Sequence, residues 1–385
     1  MPNDVELLIL GGGCAGLSLA MQLAKLGPRA PSTVILERRP VYVNDRTWCF
    51  WGDDKTPFAL QAQHQWSSFK VLNAGLGVQV DCAATPYRML AAEQFYTAAV
   101  TALAAVPQMH LRMKSPVVSE PQFSNGRWHL TSPMGTLSAK MLVDTRPPHI
   151  TAKEDVLLWQ SFYGFEIESS EPVFEPNCAE LMNFSTAKPE RVAFTYTLPL
   201  SHKRALVEFT VFAAAPVTVE ALTIELENAI AQRVKGATFT VRRSEQGLLP
   251  MGLNFPLAPF SGDGPSCARV GLFAGAARPA TGYAFQRIQR WAIGCAQAIV
   301  SDRLPIGHPK DPVLQTWMDT LFLKVVRRQP HLAPALFMAM FSQVASHRVI
   351  RFLGDGGSLV DYMAMAWALP SGPFLRQLLS RCCRS

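Results

Sequence analysis

Two groups of residues in this chain have the types and spacing for chemistry. The first is Gly11-Gly12-Gly13-Cys14-Ala15-Gly16, which follows the apolar run VELLIL at residues 5–10 and precedes a helical pattern, LSLAMQLAKLG. Gly11, Gly13 and Gly16 have the spacing of a dinucleotide fingerprint. The first allows a tight turn, the second lets backbone approach a pyrophosphate, and the third lets helix and strand pack closely. The pyrophosphate then sits on the positive end of the helix. A second buried run, TVILE at residues 33–37, ends in an acid about 20 positions further on, where Glu37 can accept hydrogen bonds from a ribose. A plain strand–helix turn needs no such acid.

The second group centres on Glu208, in the strand pattern RALVEFTVF. Alternation places Ala205, Val207, Phe209 and Val211 on one face, and Leu206, Glu208, Thr210 and Phe212 on the other. A carboxyl among apolar neighbours has a raised pKa and keeps a proton near neutral pH. An exposed glutamate in a surface ion pair is the plainer alternative.

A late segment bears on the cofactor. GLFAGAARPATGYAFQRIQ, from Gly271, is read as a strand at residues 270–274 that delivers Gly275 to the ligand-binding edge of a parallel sheet. A helix starting near Thr281-Gly282 would aim its N-terminus at an anionic group. This arrangement resembles flavin proteins of the aromatic-hydroxylase type, in which an N-terminal fingerprint holds ADP and a late strand–loop–helix holds the flavin end.

The elements that must position these residues fit a chain of 385 residues with 49% hydrophobic and 17% charged residues, enough for a large core. The net charge of +7 is spread out, without a basic tract interleaved with aromatics, so nucleic acid is not an expected partner. A modest basic excess at a mean hydropathy of +0.11 suits an anionic membrane surface better. The eight cysteines, among them Cys14, Cys49 and the adjacent Cys382-Cys383, form no CxxC pair, so free thiols in a reducing, cytoplasmic setting are expected. The eight histidines form no spaced cluster, and no metal is expected. No secretory leader and no spanning helix are predicted.

The fold class read from this order is α/β. It is a Rossmann-type FAD-binding domain of the aromatic-hydroxylase type with an interleaved β-sheet substrate domain and a helical C-terminal region. The discontinuous FAD-binding domain takes residues 1–84, 107–150 and 265–305. The substrate domain takes 85–106, read as a helix, and 151–264. The remainder, 306–385, is helical. There Leu314, Met318 and Phe322, with Trp317, Leu321 and Val325, make an apolar stripe for a monotopic membrane contact.

Longer motifs support a family. NDRTWCFW at residues 44–51 resembles the DRTWCFW motif of bacterial flavin-dependent lycopene beta-cyclases. PYRMLAAEQFY, LVDTRPP, ELMNF, TYTLPLSHKRALVEF, EQGLLPM and ATGYAFQRIQ continue the resemblance in the expected order over nearly the whole chain.

That resemblance implies a non-redox cyclisation of lycopene ends to β-ionone rings, giving β-carotene or γ-carotene, with reduced FAD and NADPH or NADH as electron donor. Glu208 matches the first acid of the family's Leu-Glu-Glu-Thr motif, whereas Phe209 stands where the second acid falls. Glu245, in EQGLLPM, matches a family glutamate near the cofactor and is the second catalytic candidate. Asn183 stands where related sequences often carry Asp. Asp45 and Arg46 match the motif as flavin or phosphate contacts, or as an ion pair that shapes the loop. Asp144 and Arg146 fall on the cofactor side, and Gly275, Pro279, Thr281, Gly282 and Tyr283 match the flavin-proximal loop. Trp48, Phe50 and Trp51 face either the polyene or the core. The resemblance also implies peripheral contact with the inner membrane and association with other carotenoid enzymes. A redox flavoenzyme acting on a lipid, or a carotenoid-binding protein without turnover, stays open on the sequence.

Overall fold

The computed structural model describes residues 4–132, 135–147, 156–185, 188–253 and 266–382. Cys383 lies outside the described residues. The first sheet runs β8 (Met109–Arg112), β2 (Thr33–Leu36), β1 (Asp4–Leu10), β11 (Gly135–Asp144), β10 (Arg127–Ser132) and β9 (Gln122–Ser124), with β17 (Cys267–Arg269) also paired to β11. The strands from β8 to β11, and β17, are parallel. Leu7 and Ile9 pack under helices α1 (Cys14–Ala24) and α4 (Phe285–Val300), while Leu8 and Leu10 pack against Trp128 and Leu137 on the other face. Burial on both faces is why this strand reads as a continuous apolar run. Gln289 donates to Ser18 Oγ at 2.9 Å and ties α4 to α1 inside that core.

The second sheet runs β16 (Phe239–Met251), β12 (Leu158–Ser169), β15 (Arg204–Ala213), β14 (Val192–Pro199), β13 (Cys178–Asn183), β5 (Ser68–Asn73) and β6 (Leu76–Asp81). The alternation in β15 holds. Ala205, Val207, Phe209 and Val211 pack on Leu222, Leu226 and Ile230 of helix α3 (Val219–Val234), whose N-cap is Thr218. Each such buried Leu or Ile is worth about 1.5–3 kcal/mol. Leu206 and Phe212 point to the opposite face, with Phe194 and Leu198.

A third sheet, β3 (Thr47–Trp51), β7 (Tyr87–Ala91) and β4 (His64–Trp66), is antiparallel and lies between the other two.

Several expectations need correction here. Residues 85–106 are not one helix. Tyr87–Ala91 is a strand with every residue buried, and α2 (Ala92–Ala104) begins only where that strand ends. Pairing on both edges overrides the helical propensity of RMLAA. Helix α2 also packs with α1, so it belongs to the core of the first sheet, not to the second sheet. Conversely β5 and β6, within the stretch 1–84, join the second sheet. Finally, residues 270–274 are not a strand. β17 stops at Arg269, and Gly271, at φ +103°, leads into a short 3-10 turn at Leu272–Ala274. Helix α4 starts at Phe285, three residues after Gly282, which holds φ +72°.

Helices α5 (Val313–Arg328), α6 (Ala333–Gln343), α7 (Ser346–Leu353), α8 (Leu359–Ala368) and α9 (Ser371–Cys382) follow. Leu336, Phe337, Met340 and Phe341 of α6 join Phe69, Val71 and Phe194 of the second sheet in one core. The expected α5 stripe divides. Val325 is buried, while Leu314 and Trp317 are exposed. Among the described residues no helix is long and apolar enough to cross a membrane.

Candidate active site

One continuous cavity of about 1840 Å³ joins all three sheets to the C-terminal helices. Its lining runs from Gly11, Gly13 and Glu37, past Glu208 and Glu245, to Phe322, Phe337, Met340 and Met365.

The polar part is built largely from backbone. Gly13 is the N-cap of α1, with no side-chain cap and no acid in the first turn, and Gly13, Cys14 and Ala15 line the cavity, so the positive end of the helix is open to an anion. Gly11 sits at φ +97°, and a Cβ on Gly16 would fall 2.1 Å from Gly11 O. Gly16 therefore serves packing and does not line the cavity. Glu37 accepts hydrogen bonds from Gly12 N (2.9 Å) and Arg39 N (2.8 Å). Burial pushes its carboxyl up, but Arg39 and Gly12 outweigh burial and hold it below its usual value. Arg38, Arg39, Arg46, Arg146 and Arg269 add positive charge to the lining. Asp144 takes both arms of the Arg146 fork, at 2.9 and 2.8 Å.

Asp45 sits behind this wall. It pairs with Arg39 (3.4 Å) and Arg46 (2.8 Å) and accepts from Tyr96 Oη at 3.1 Å. Of the late loop, Thr281, Gly282 and Tyr283 line the cavity, whereas Gly275 and Pro279 do not. Gly275 instead takes φ +94° in the turn after Ala274. Helix α4 likewise begins without a side-chain cap or an early acid.

The carboxyl part is built from register. Gly164 of β12 faces Glu208 of β15 on one side and Glu245 of β16 on the other, and Glu208 faces Tyr196 of β14. Four strands thus set Glu245, Gly164, Glu208 and Tyr196 in one row. A Cβ on Gly164 would fall 2.6 Å from Glu208 Cγ. The missing side chain is what lets the two carboxyls meet across the central strand.

Glu208 is 8% exposed and Glu245 4%. Burial, and then the charge of Glu245 and a hydrogen bond to it, hold the Glu208 carboxyl well above the usual range, against a weaker opposing pull from Arg243. Burial and its neighbour thus favour the protonated form of Glu208.

Glu245 is fixed from its far side. Thr47 Oγ1 donates to its Oε2 at 2.7 Å, and Arg243 is ion-paired to the same oxygen. Arg243 also donates to Thr47 Oγ1 (2.8 Å) and to Glu166 Oε2 (2.7 Å), and Arg204 holds the other oxygen of Glu166. A register shift between Glu166 and Ile167 sets Arg243 opposite Glu166 and Val241 opposite Ile167, with Arg242 left over. That bulge aims consecutive arginines at two acids, Arg243 at Glu166 and Arg242 at Glu168.

Alternate residues of the TWCFW stretch meet this row and Tyr87 beside it. Thr47 meets Glu245, Cys49 bonds Tyr196, and Trp51 packs on Tyr87 with ring centroids 4.6 Å apart. Burial pushes the Cys49 thiol up to about 12, so it stays protonated. The alternate residues Trp48 and Phe50 turn away and stack on Phe285, each at 5.4 Å. The motif therefore serves two sites at once by strand alternation. Sequence reasoning missed Thr47, Tyr87, Gly164, Tyr196 and Arg243. A glycine inside the strand pattern SFYGFEIE was the one available signal, because an interior strand glycine marks close approach.

A Rossmann-type α/β fold with a buried acid pair in a largely apolar cavity defines the class. The fold is similar to that of a geranylgeranyl bacteriochlorophyll reductase-like protein from Thermoplasma acidophilum (TM-score 0.61, 14% identity, 98% of each chain). It is also similar to p-nitrophenol 4-monooxygenase from Pseudomonas putida DLL-E4 (TM-score 0.58, 15% identity, 94% of this chain and 96% of that one). At these identities the likeness shows the fold alone.

The sequence is more specific. The family described as Lycopene cyclase protein matches residues 6–379, and the chain belongs to it. It is 26% identical over 285 residues to the lycopene beta-cyclase of Pseudescherichia vulneris, covering 72% of this chain and 70% of that one. It is 25% identical over 393 residues to that of Pantoea ananas, covering 98% of each.

Proposed function

We propose that this enzyme closes the acyclic ends of lycopene into β-ionone rings by acid–base chemistry, without net oxidation or reduction. The observation that carries this reading is the pair of buried carboxyls, Glu208 and Glu245, brought together across Gly164 in a largely apolar cavity.

Glu208 delivers its proton to the terminal double bond. The neighbouring carbon becomes a tertiary cation, and the next double bond attacks it to close a six-membered ring. Glu245 then takes a proton from a ring carbon. Proton in and proton out leave the composition unchanged. The carbon that gains the proton and the carbon that loses one are bonded to the same ring atom, so an acid and a base in hydrogen-bond contact suit both steps. Glu245 fills the role that Phe209 vacates. It comes from the neighbouring strand but one rather than from the next position in sequence, and Phe209 points into the α3 core.

FAD, kept reduced by NADPH or NADH, would be held by the open α1 N-terminus, Gly13, Glu37 and residues 281–283, and when bound supplies electron density beside the cation. The uncapped N-termini of α1 and α4 fit such an anionic dinucleotide.

The substrate is insoluble in water and must come from a bilayer. Trp317 on α5, Met363 and Trp367 on α8, and Leu375 on α9 are exposed, and Trp317 and Leu375 also line the cavity. This continuity supports peripheral contact with the inner membrane at these helices.

The test is anaerobic incubation of the FAD-loaded protein with NADPH and lycopene in liposomes. A product of unchanged mass and shortened chromophore supports the cyclase. A product with added oxygen or altered hydrogen count moves the protein to a redox enzyme acting on a lipid.

A further inference from the structure

The same cavity holds three phenols that the acid–base pair does not use. Tyr87 comes from β7, Tyr196 from β14 and Tyr283 from the loop before α4, yet their oxygens meet. Tyr87 Oη lies 3.0 Å from Tyr196 Oη and 3.4 Å from Tyr283 Oη. All three line the cavity, and Tyr196 is next to Glu208 in the row. Trp51 backs them, with ring centroids 4.6 Å from Tyr87 and 5.3 Å from Tyr283. Cys49 hydrogen-bonds Tyr196 and Tyr87 from above.

Phenylalanine at these positions would fill the same space without burying hydroxyl groups, and burying them has a desolvation cost. The cluster is therefore more than packing. Burial holds Tyr87 and Tyr196 well above the usual phenol range and raises Tyr283 as well. All three stay neutral, so none competes with Glu245 as a base. Neutral phenol rings and oxygens attract positive charge.

We propose that Tyr196, Tyr87 and Tyr283 form a cation seat for the ring-forming end of an isoprenoid alkene, holding it against Glu208 and Glu245 and so selecting which proton leaves. The proposal deepens the cyclase reading and rests on it. By holding the cation close to Glu245 and away from water, the seat sets both the rate and the identity of the ring isomer.

The test compares Tyr196→Phe, Tyr87→Phe and Tyr196→Leu with wild type and Glu208→Gln, all FAD-loaded, in the anaerobic lycopene assay. Thermal unfolding and FAD content are measured alongside. Tyr196→Phe is expected to lower kcat about tenfold with KM within about twofold, and to yield ring isomers or hydrated products absent from wild type. Tyr196→Leu, lacking the ring too, is expected to lose more, while both Phe variants keep wild-type FAD content and melting behaviour. Phe variants with wild-type kcat and a wild-type product profile overturn the seat, and if Glu208→Gln is inactive in the same assay they leave the cyclase reading standing. A wild-type protein that forms no ring removes that reading and the seat with it.

Discussion

The two ends of the cavity are made in different ways. The end proposed for the nucleotide is made of backbone: Gly11 at positive φ, Gly13 at the uncapped start of α1, and the turns at Gly271 and Gly282. The carboxyl end is made of side chains that strand register brings together from β3, β12, β14, β15 and β16. A backbone site is local, and its constraints appear as glycine spacing. A register site is spread along the chain, and its members become neighbours only once the sheet is formed.

Substitutions at the two ends should therefore fail differently. Glu208→Gln keeps the shape and removes the proton. Turnover should fall by about 10²–10⁴-fold with FAD content unchanged. Gly16→Ala should do the reverse. Its Cβ would sit 2.1 Å from Gly11 O, so FAD per chain, read from flavin absorbance, should collapse along with stability. Equal loss of flavin in both variants would erase the distinction between the ends.

Gly164→Ala comes next. Its Cβ would meet Glu208 Cγ at 2.6 Å and force the carboxyls apart, at about 1–3 kcal/mol of strain. Turnover should drop about 10–100-fold, with flavin binding intact. Wild-type turnover in this variant would mean that the carboxyl contact is not needed.

Arg243→Gln frees Glu245 from its ion pair and removes the charge that pulls the Glu208 carboxyl down. Turnover should fall, and the alkaline limb of its pH profile should move to higher pH. A limb that stays in place or moves to lower pH would mean that Arg243 does not act on the proton the reaction uses.

The smallest effect concerns stability. The folded chain holds the Glu208 proton above the pH at which the unfolded chain releases it, near 4.5. The folded state then binds more protons than the unfolded state, so stability falls as pH rises from about 4.5 toward the raised folded value. Glu208→Gln should lack this part of the slope, and its melting temperature should gain on wild type as pH rises through that window.

The same contrast explains what was legible in the sequence. The fingerprint, β1, β2, Glu37 and the two faces of β15 follow from glycine spacing and apolar alternation, and each is local. The strand Tyr87–Ala91 was not legible, because RMLAA favours a helix and only pairing with β3 and β4 makes it extended. The start of α4 was misplaced because two glycines at positive φ, not the apolar pattern, set where strand and helix stop. At the site, Glu208 was placed by the family motif, since its strand pattern alone fits an exposed glutamate in an ion pair better. Glu245, 37 positions later in the numbering, became its partner only through Gly164. Tyr87, Tyr196 and Arg243 carried no spacing signal, since their partners lie on other strands.

The most direct measurement of the central claim is the mass of the first ring product formed in D2O under anaerobic conditions, with FAD-loaded enzyme in excess over lycopene. Proton transfer from Glu208 to carbon and from carbon to Glu245 predicts one deuterium gained and one hydrogen lost per ring, with no change in unsaturation or oxygen content. A ring product without deuterium, or a product that gains oxygen or two hydrogens, would contradict the account.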